Sequence, residues 1–166
     1  PRPDEKSVMT YISLFWKEFA ASKRKRMAGE RIGKAVQRER SYSEMRAQYK
    51  GDSEQLIAWI DAKTEALGAQ RQAPLGSQTA VDGARSAHQA YLRSEKPQRQ
   101  RELLDLEALC ASVSSRLATL NRTFSPPERL AIPAIQRRWE ALSGAEEAYE
   151  AALNSTLGQL KKVGPP

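Results

Sequence analysis

The clearest structural pattern in this chain lies in residues 41–67, which read "SYSEMRAQYKGDSEQLIAWIDAKTEAL". One stripe of positions recurs there at alternating steps of three and four residues. The stripe comprises Tyr42, Met45, Tyr49, Asp52, Leu56, Trp59, Lys63 and Ala66, and it is widened by Ile57, Ile60 and Leu67. This heptad-like spacing predicts a helix with one mainly apolar face. We expect this first helix of a bundle, helix A, over about residues 41–69, ending near "GAQRQAPLGS" with its two glycines and one proline.

A second helix, helix B, is predicted over about residues 78–122, with Ser77 or Thr79 as its cap. Its stripe comprises Val81, Ala84, His88, Tyr91, Leu103, Leu106, Cys110, Val113, Leu117 and Leu120. Pro97 interrupts this stripe in "RSEKPQRQ". A proline inside a helix removes a hydrogen bond and costs about 3 kcal/mol, so we expect a kink or a short break there.

A third helix, helix C, is predicted over about residues 132–162, after the proline-rich loop "NRTFSPPERLAIPA". Its stripe comprises Ile132, Ile135, Trp139, Leu142, Glu146, Tyr149, Leu153 and Leu160. Glu146 is the one acidic residue on this stripe. We expect it to pair with Lys63, which lies on the stripe of helix A.

Each stripe alone is too narrow to form a core, but three of them facing one another make one. The predicted fold class is therefore all-α: an antiparallel left-handed three-helix bundle over residues 41–163, preceded by a helical neck. The predicted core consists of Tyr42, Met45, Tyr49, Leu56, Trp59, Ile60, Val81, His88, Tyr91, Leu103, Leu106, Cys110, Val113, Leu117, Leu120, Ile135, Trp139, Leu142, Tyr149 and Leu153.

The segment before the bundle has a different character. "RPDEKSVMTYISLFWKEF" predicts a helix from Asp4 or Glu5 onward, with apolar residues on more than one face. The neck that follows contains Gly29 and Gly33, each of which costs about 1 kcal/mol against alanine inside a helix. An apolar surface this wide predicts burial against a partner.

The positive charge of the chain lies almost entirely near its start. Residues 1–50 carry 13 Lys and Arg against 6 Asp and Glu, whereas residues 51–166 carry 14 of each. The densest part of the excess is Lys23, Arg24, Lys25 and Arg26. Such a run is either a solvated helix face or a contact for an acidic surface, meaning anionic lipid, actin or nucleic acid. No recognised nucleic-acid-binding motif accompanies it, so nucleic acid is not an expected partner.

Catalytic chemistry is not expected. His88 and Cys110 are the only residues of their kinds, and 22 positions of continuous helix would separate them by about 33 Å. A tetrahedral zinc site lacks ligands, and no phosphate-binding loop is present, so we expect no metal, no cofactor and no enzyme. The lone cysteine suits a reducing compartment, and no apolar run approaches the roughly 20 residues of a transmembrane helix.

Several motifs resemble the spectrin and α-actinin superfamily. "RPDEKSVMTYISLFWKEF" is similar to the last helix of the second calponin-homology domain in these proteins. Trp59 in "LIAWI" and Trp139 in "RRWEAL" fall where spectrin repeats place core tryptophans. The resemblance covers essentially the whole chain.

Other motifs favour a β-spectrin over an α-actinin. "GERIGKAV" is similar to the neck of β-spectrins, "SEKP" stands where they have V-E-K-P, and "LEALCASVSSRL" follows their second-helix pattern without a gap. "AIPAIQRRWEAL" is similar to the third helix of their repeat, although Ala134 stands where an Asp is usual. With its unusually charged neck, the chain resembles a divergent β-spectrin of the large or heavy kind, with α-actinin as the alternative.

This resemblance implies a domain organisation and a function. Residues 1–20 would be the terminal helix of a truncated calponin-homology domain, 21–40 the neck and 41–163 a spectrin repeat. The chain would link an actin-binding head to a rod in the cytoplasmic cytoskeleton at the cell cortex, the membrane skeleton. α-Spectrin would be its lateral, antiparallel partner, and F-actin would be bound only through the missing calponin-homology domains. Lys23–Arg26 remain a candidate contact for anionic lipid.

Overall fold

The computed structural model describes residues 4–163 and contains three long α-helices. They are α1 (Glu5–Gln72), α2 (Gln78–Ala118) and α3 (Ile132–Val163), with a short 3₁₀ helix at Glu128–Leu130 between the last two. No strand occurs within this part of the chain. The chain divides into two compact units, Pro1–Glu44 and Met45–Pro166.

The ends of α2 follow from local sequence. Ser77 caps its start, because the side-chain oxygen accepts a hydrogen bond from the Ala80 backbone N–H at 3.2 Å. The helix ends at Ala118, four residues before the predicted boundary. Asn121 then adopts a left-handed backbone conformation with φ 54°, which asparagine tolerates better than most residues.

Two contacts in the second unit show that α1 and α2 run antiparallel. Near the start of the unit, Arg116 Nη1 on α2 lies 3.7 Å from Met45 Sδ on α1. Further along α1, Trp59 Nε1 donates a 2.8 Å hydrogen bond to Glu95 Oε1, which comes earlier in α2. Moving forward along α1 thus means moving backward along α2.

The contacts between α2 and α3 reverse direction again. Gln136 near the start of α3 donates a 2.8 Å hydrogen bond to Glu107, whereas Tyr149 further along packs edge-on against His88, with ring centroids 5.2 Å apart. The second unit is therefore an antiparallel three-helix bundle, and the predicted fold class is confirmed.

α1 and α3 consequently run parallel. Arg129, in the 3₁₀ helix just before α3, lies 2.7 Å from Glu54, and Arg138 donates to Asp61 at 2.6 Å. Both ion pairs are exposed, so each contributes little to stability. Because the two pairs follow the same order along α1 and α3, they show that these helices run in the same direction.

Most of the predicted core positions lie inside the molecule. The buried ones are Tyr42, Tyr49, Leu56, Ile60, Val81, His88, Tyr91, Leu103, Leu106, Val113, Leu117, Ile135, Leu142, Tyr149 and Leu153. Met45, Trp59, Cys110 and Trp139 are half-buried. Among the buried residues of α1, Tyr42, Tyr49 and Leu56 recur every seven residues, as do Ser53, Ile60 and Leu67. This is the heptad spacing of a left-handed coiled coil.

The observed burial differs from the sequence pattern at three places. Leu120 is 42% exposed, because α2 ends before it and the chain turns away from the helix axis. Asp52 is exposed, and the buried position is its neighbour Ser53, whose hydroxyl donates a 2.6 Å hydrogen bond to the Tyr49 carbonyl. Leu130 was absent from the predicted core but is fully buried.

Leu130 fastens the loop between α2 and α3 to the bundle. Its backbone carbonyl accepts a 2.6 Å hydrogen bond from the hydroxyl of Tyr49, and Phe124 packs edge-on against the Tyr49 ring at 5.2 Å. Desolvation by burial is the main cause that raises the pKa of Tyr49 to about 12. The phenol therefore stays a hydrogen-bond donor throughout the neutral range.

α2 continues through Pro97 without a break. Of the two outcomes that the sequence left open, the interruption of the helix does not occur. Packing on both sides of Pro97 explains this, because Tyr91 and Leu103 are both buried. Tertiary contacts therefore outweigh the local cost of the proline.

The first unit is helical from Glu5 onward. Gly29 and Gly33 both lie within this helix. A Cβ atom added at either position would have no neighbouring atom within 4 Å, so close packing does not require glycine there. Within residues 4–163, no helix is long and apolar enough to cross a membrane.

Candidate functional surfaces

The middle of the bundle contains a layer of charged and aromatic side chains, which we call the polar layer: Trp59, Lys63, Tyr91, Glu95, Lys96, Trp139 and Glu146. Its centre is Glu146, which is only 5% exposed. The Tyr91 hydroxyl donates a 2.6 Å hydrogen bond to Glu146 Oε1, and the Lys96 ammonium forms an ion pair with Oε2. Both carboxylate oxygens thus have partners, which a buried charge requires.

The expected pair between Lys63 and Glu146 was wrong. Lys63 Nζ lies 3.5 Å from Glu95 and 3.8 Å from the centroid of the Tyr91 ring. Lys96, on the same helix as Tyr91, is the cation that pairs with Glu146. The periodicity of the sequence placed Lys63 on the inward face of the first helix of the bundle. Lys96 belongs to none of the predicted stripes, so its pairing with Glu146 was not predictable from periodicity.

The two tryptophans of the bundle pack against each other in this layer. Their rings are stacked with centroids 6.3 Å apart, and the Arg99 guanidinium lies 5.2 Å from the Trp59 ring. The hydrogen bond from Trp59 Nε1 is the main cause that lowers the pKa of Glu95. Trp59 therefore serves as both a packing and a polar contact.

His88 lies beside the polar layer and is 6% exposed. Its ring centroid is 5.9 Å from that of Tyr91 and 5.2 Å from that of Tyr149. Burial is the main cause that lowers its pKa below 6.5, against the opposing effect of Glu146. Its Nε2 is buried and has no hydrogen-bond partner among the described residues.

Within residues 4–163, His88 and Cys110 are not brought together as a catalytic pair. His88 and Cys110 lie on one continuous helix, so their 22-residue separation corresponds to about 33 Å. Within the described ranges, no three His, Cys, Asp or Glu side chains come together as a metal site would require. The four charged members of the polar layer pair with one another, Lys63 with Glu95 and Lys96 with Glu146.

The first unit presents an exposed apolar surface, which we call the apolar face: Val8, Met9, Tyr11, Ile12, Leu14, Phe15, Trp16 and Phe19. These side chains are between 39% and 73% exposed. Trp16 and Phe19 pack edge-on with centroids 6.2 Å apart. Exposed apolar surface of this kind marks a site of interaction.

The basic run follows the apolar face on the same helix. Lys23, Arg24, Lys25 and Arg26 are all helical and exposed. Their ammonium and guanidinium groups are accessible to an acidic surface.

The chain is similar to curated cytoskeletal proteins over nearly its whole length. It is 31% identical over 163 residues to alpha-actinin A of Dictyostelium discoideum, covering 98% of this chain and 19% of that protein. It is 33% identical over 162 residues to human spectrin beta chain, non-erythrocytic 4, covering 97% of this chain and 6% of that protein. No family model matches.

This chain is a relative of the α-actinins and the spectrin β chains. The resemblance read from its motifs is therefore confirmed, and the three-helix bundle is a spectrin repeat. The identities do not separate the two groups, because erythrocytic spectrin beta chain of Mus musculus is also 31% identical. The chain spans less than one fifth of the length of these relatives. It covers 19% of the alpha-actinin and 7% of the mouse spectrin.

Proposed function

We propose that this chain is a structural, non-enzymatic segment that joins an actin-binding head to the rod of a β-spectrin-like crosslinking protein. The observation that carries the proposal is the exposed apolar face, which precedes the spectrin repeat in the chain. The similarity to spectrin β chains and α-actinins across 97–98% of the chain supports the same role.

In this proposal the chain has three parts. Residues 1–20 are the terminal helix of a calponin-homology domain, 21–40 are the neck and 41–163 are the spectrin repeat. The apolar face then packs into the core of the head, which accounts for the large apolar side chains exposed on this segment. The protein acts in the cytoplasm, in the cytoskeleton at the cell cortex.

A helix-breaking substitution in the neck tests this role. Spin labels at residues 22 and 36 report the distance across the neck, about 21 Å for 14 residues of helix. We expect one narrow distance distribution in the parent and a broad one in Gly33→Pro. Gly33→Ala is the matched control, because a methyl group at this position meets no atom within 4 Å. A broad distribution in the parent protein would contradict the proposed spacer.

The proposed lateral partner of the repeat is α-spectrin, in an antiparallel arrangement. Charged helix faces steer such pairing, so its rate should fall as the salt concentration rises. Mixing the chain with the terminal repeats of α-spectrin and measuring mass by light scattering tests this. A mixed complex supports the β-spectrin assignment, whereas self-association without α-spectrin binding supports an α-actinin-like rod segment.

Actin binding is assigned to the calponin-homology domains and not to this chain. We expect no cosedimentation with filamentous actin above background at moderate salt. The full-length protein should sediment with actin under the same conditions. Saturable, salt-resistant binding by the chain alone would overturn this assignment.

A second candidate function is binding to an anionic membrane surface by the neck. Lys23–Arg26 are exposed on the same helix as Phe15 and Trp16, which combines charge with apolar anchors. Basic residues contribute about 1 kcal/mol each near anionic lipid. Replacing Lys23–Arg26 by glutamine should abolish binding to phosphatidylserine vesicles, whereas replacing Lys161 and Lys162 should not. Retained binding after the first change would exclude this function.

A further inference from the structure

One face of the neck presents apolar side chains that nothing in the described part of the chain covers. Ile32 is 65% exposed and Val36 is 60% exposed, and both are helical. The same face contains Gly29, where an added Cβ atom would have no neighbour within 4 Å. These positions lie outside the apolar face of the first unit, which the proposed head covers. The neck therefore offers an apolar surface of its own.

These residues belong to a row with heptad spacing, which we call the neck stripe: Lys25, Gly29, Ile32, Val36 and Glu39. Successive members are separated by four, three, four and three residues. This spacing places all five on one side of an α-helix. Each of them is exposed. The neck stripe is therefore accessible to another helix along its whole length.

The order of residues along the neck stripe is nearly symmetric about Ile32. Lys25 lies seven residues before Ile32, and Glu39 lies seven residues after it. Gly29 lies three residues before Ile32, and Val36 lies four residues after it. A second copy of the stripe that runs in the opposite direction therefore brings lysine opposite glutamate and valine opposite glycine.

The contacts in such an antiparallel pair are complementary in charge and in size. Lys25 and Glu39 attract each other at both ends of the pair, whereas a parallel pair would place lysine against lysine. The side chain of Val36 needs space, and Gly29 of the other copy provides it because glycine has no side chain. The two Ile32 side chains meet at the centre and exclude water from each other.

We propose that two copies of this chain pair through the neck stripe in antiparallel orientation, with Ile32 of each copy at the twofold axis. The flanking Arg26 and Arg40 keep their guanidinium groups in solvent at the edges of the pair. The contact is about 21 Å long and smaller than a standard protein interface, so the pair is weak and reversible. This goes beyond the proposed spacer role, because it makes the neck a contact between two molecules.

A cysteine at the centre of the neck stripe reports this pair locally. Cys110→Ala removes the single cysteine of the chain, and Ile32→Cys then places one thiol beside its counterpart at the proposed twofold axis. In a glutathione buffer, Ile32→Cys should form a disulfide-linked dimer at about ten times the initial rate of Met27→Cys. Met27→Cys is the matched control, since Met27 is 44% exposed on the same helix and lies outside the neck stripe. Non-reducing electrophoresis measures both rates.

Charge reversal in the same cysteine variant tests the direction of the pair. Lys25→Glu places like charges opposite each other at both ends and should slow dimer formation by Ile32→Cys about fivefold. Adding Glu39→Lys makes the facing charges opposite again and should restore the rate. In a parallel pair each position faces itself, so neither change would alter the rate.

Two results would overturn the proposal. Equal rates for Ile32→Cys and Met27→Cys would mean that association does not use the neck stripe, as when copies associate through the apolar face instead. A rate that Lys25→Glu leaves unchanged or raises would exclude the antiparallel arrangement. Circular dichroism should show the same helix content in all neck variants, because the substituted neck positions are exposed. The spin-label distance across the neck tests the spacer separately, so failure of the pair is distinguishable from failure of the spacer.

Discussion

Single residues in the polar layer fulfil several roles at once, and Trp59 shows this best. It stacks on Trp139 and donates a hydrogen bond to Glu95, although it is only half-buried. Replacing Trp59 by alanine removes both contacts, so the change in the free energy of unfolding measures their combined contribution.

We predict that Trp59→Ala destabilises the bundle by about 3–5 kcal/mol, because it removes a large ring from a packed site. Urea unfolding monitored by circular dichroism measures the change. Trp16→Ala is the control, since Trp16 is 64% exposed and its loss should change stability by about 0.5 kcal/mol or less. Equal effects of the two substitutions would contradict the helix register described above.

Glu146 has a buried carboxylate whose partner was predicted incorrectly from the sequence. A double-mutant cycle with Glu146→Gln and Lys96→Met should give a coupling energy of about 1–3 kcal/mol. The parallel cycle with Lys63→Met should give a smaller value, because Lys63 pairs with Glu95 instead. A larger coupling in the Lys63 cycle would refute the pairing described here.

The stability of the bundle should depend on the protonation of His88. Its pKa is lowered in the folded state, mainly by burial, so the unfolded chain binds the proton more readily. This contribution is fully present above pH 6.5, the ordinary value, and is lost progressively as the pH falls below it.

Urea unfolding between pH 5 and 8 measures this loss. Because the chain has one histidine, His88→Asn should remove most of the pH dependence between pH 5.5 and 7. The acidic groups around His88 from α3 are Glu146 and Glu150, and the basic ones are Lys63 from α1 and Lys96 from α2. An unchanged pH profile in His88→Asn would show that another group causes it.

At the scale of one element, α2 remains helical through Pro97 although a proline inside a helix is energetically unfavourable. Pro97 has no backbone N–H, so the helix lacks one hydrogen bond at this point. We predict that Pro97→Ala raises the free energy of unfolding by about 1–3 kcal/mol. Thermal unfolding measures this, and Gln98→Ala at an exposed neighbouring position is the control. A decrease in stability would mean that the bundle requires a bend at Pro97.

The helices themselves were predictable because their signals are local. Apolar residues at steps of three and four mark each helix from within. The cap at Ser77 and the prolines around Ser125 lie within a few residues of the helix ends. The boundary of α2 near Ala118 was less predictable, because Leu120 continues the apolar spacing after the helix has ended.

At the scale of the whole molecule, exposed apolar surface should govern association of the isolated chain. We predict that the chain scatters more light than a chain trimmed to begin at Gly33, because trimming removes the apolar face. Static light scattering at matched molar concentration measures the difference. Circular dichroism on both should show a folded bundle, since residues of the described core lie after position 33. Equal scattering by the two chains would mean that the apolar face does not promote association.

The sequence by itself determined the fold class, the order of the helices and most of the side chains that face inward. Periodicity encodes these features because a helix places residues three and four apart on one face. Only the tertiary structure decided that Ser53 is buried and Asp52 is not, that Lys96 pairs with Glu146, and that His88 Nε2 is buried without a hydrogen-bond partner among the described residues. These depend on the rotation and axial offset of one helix against another, which are settled when all three pack together and which no single segment encodes.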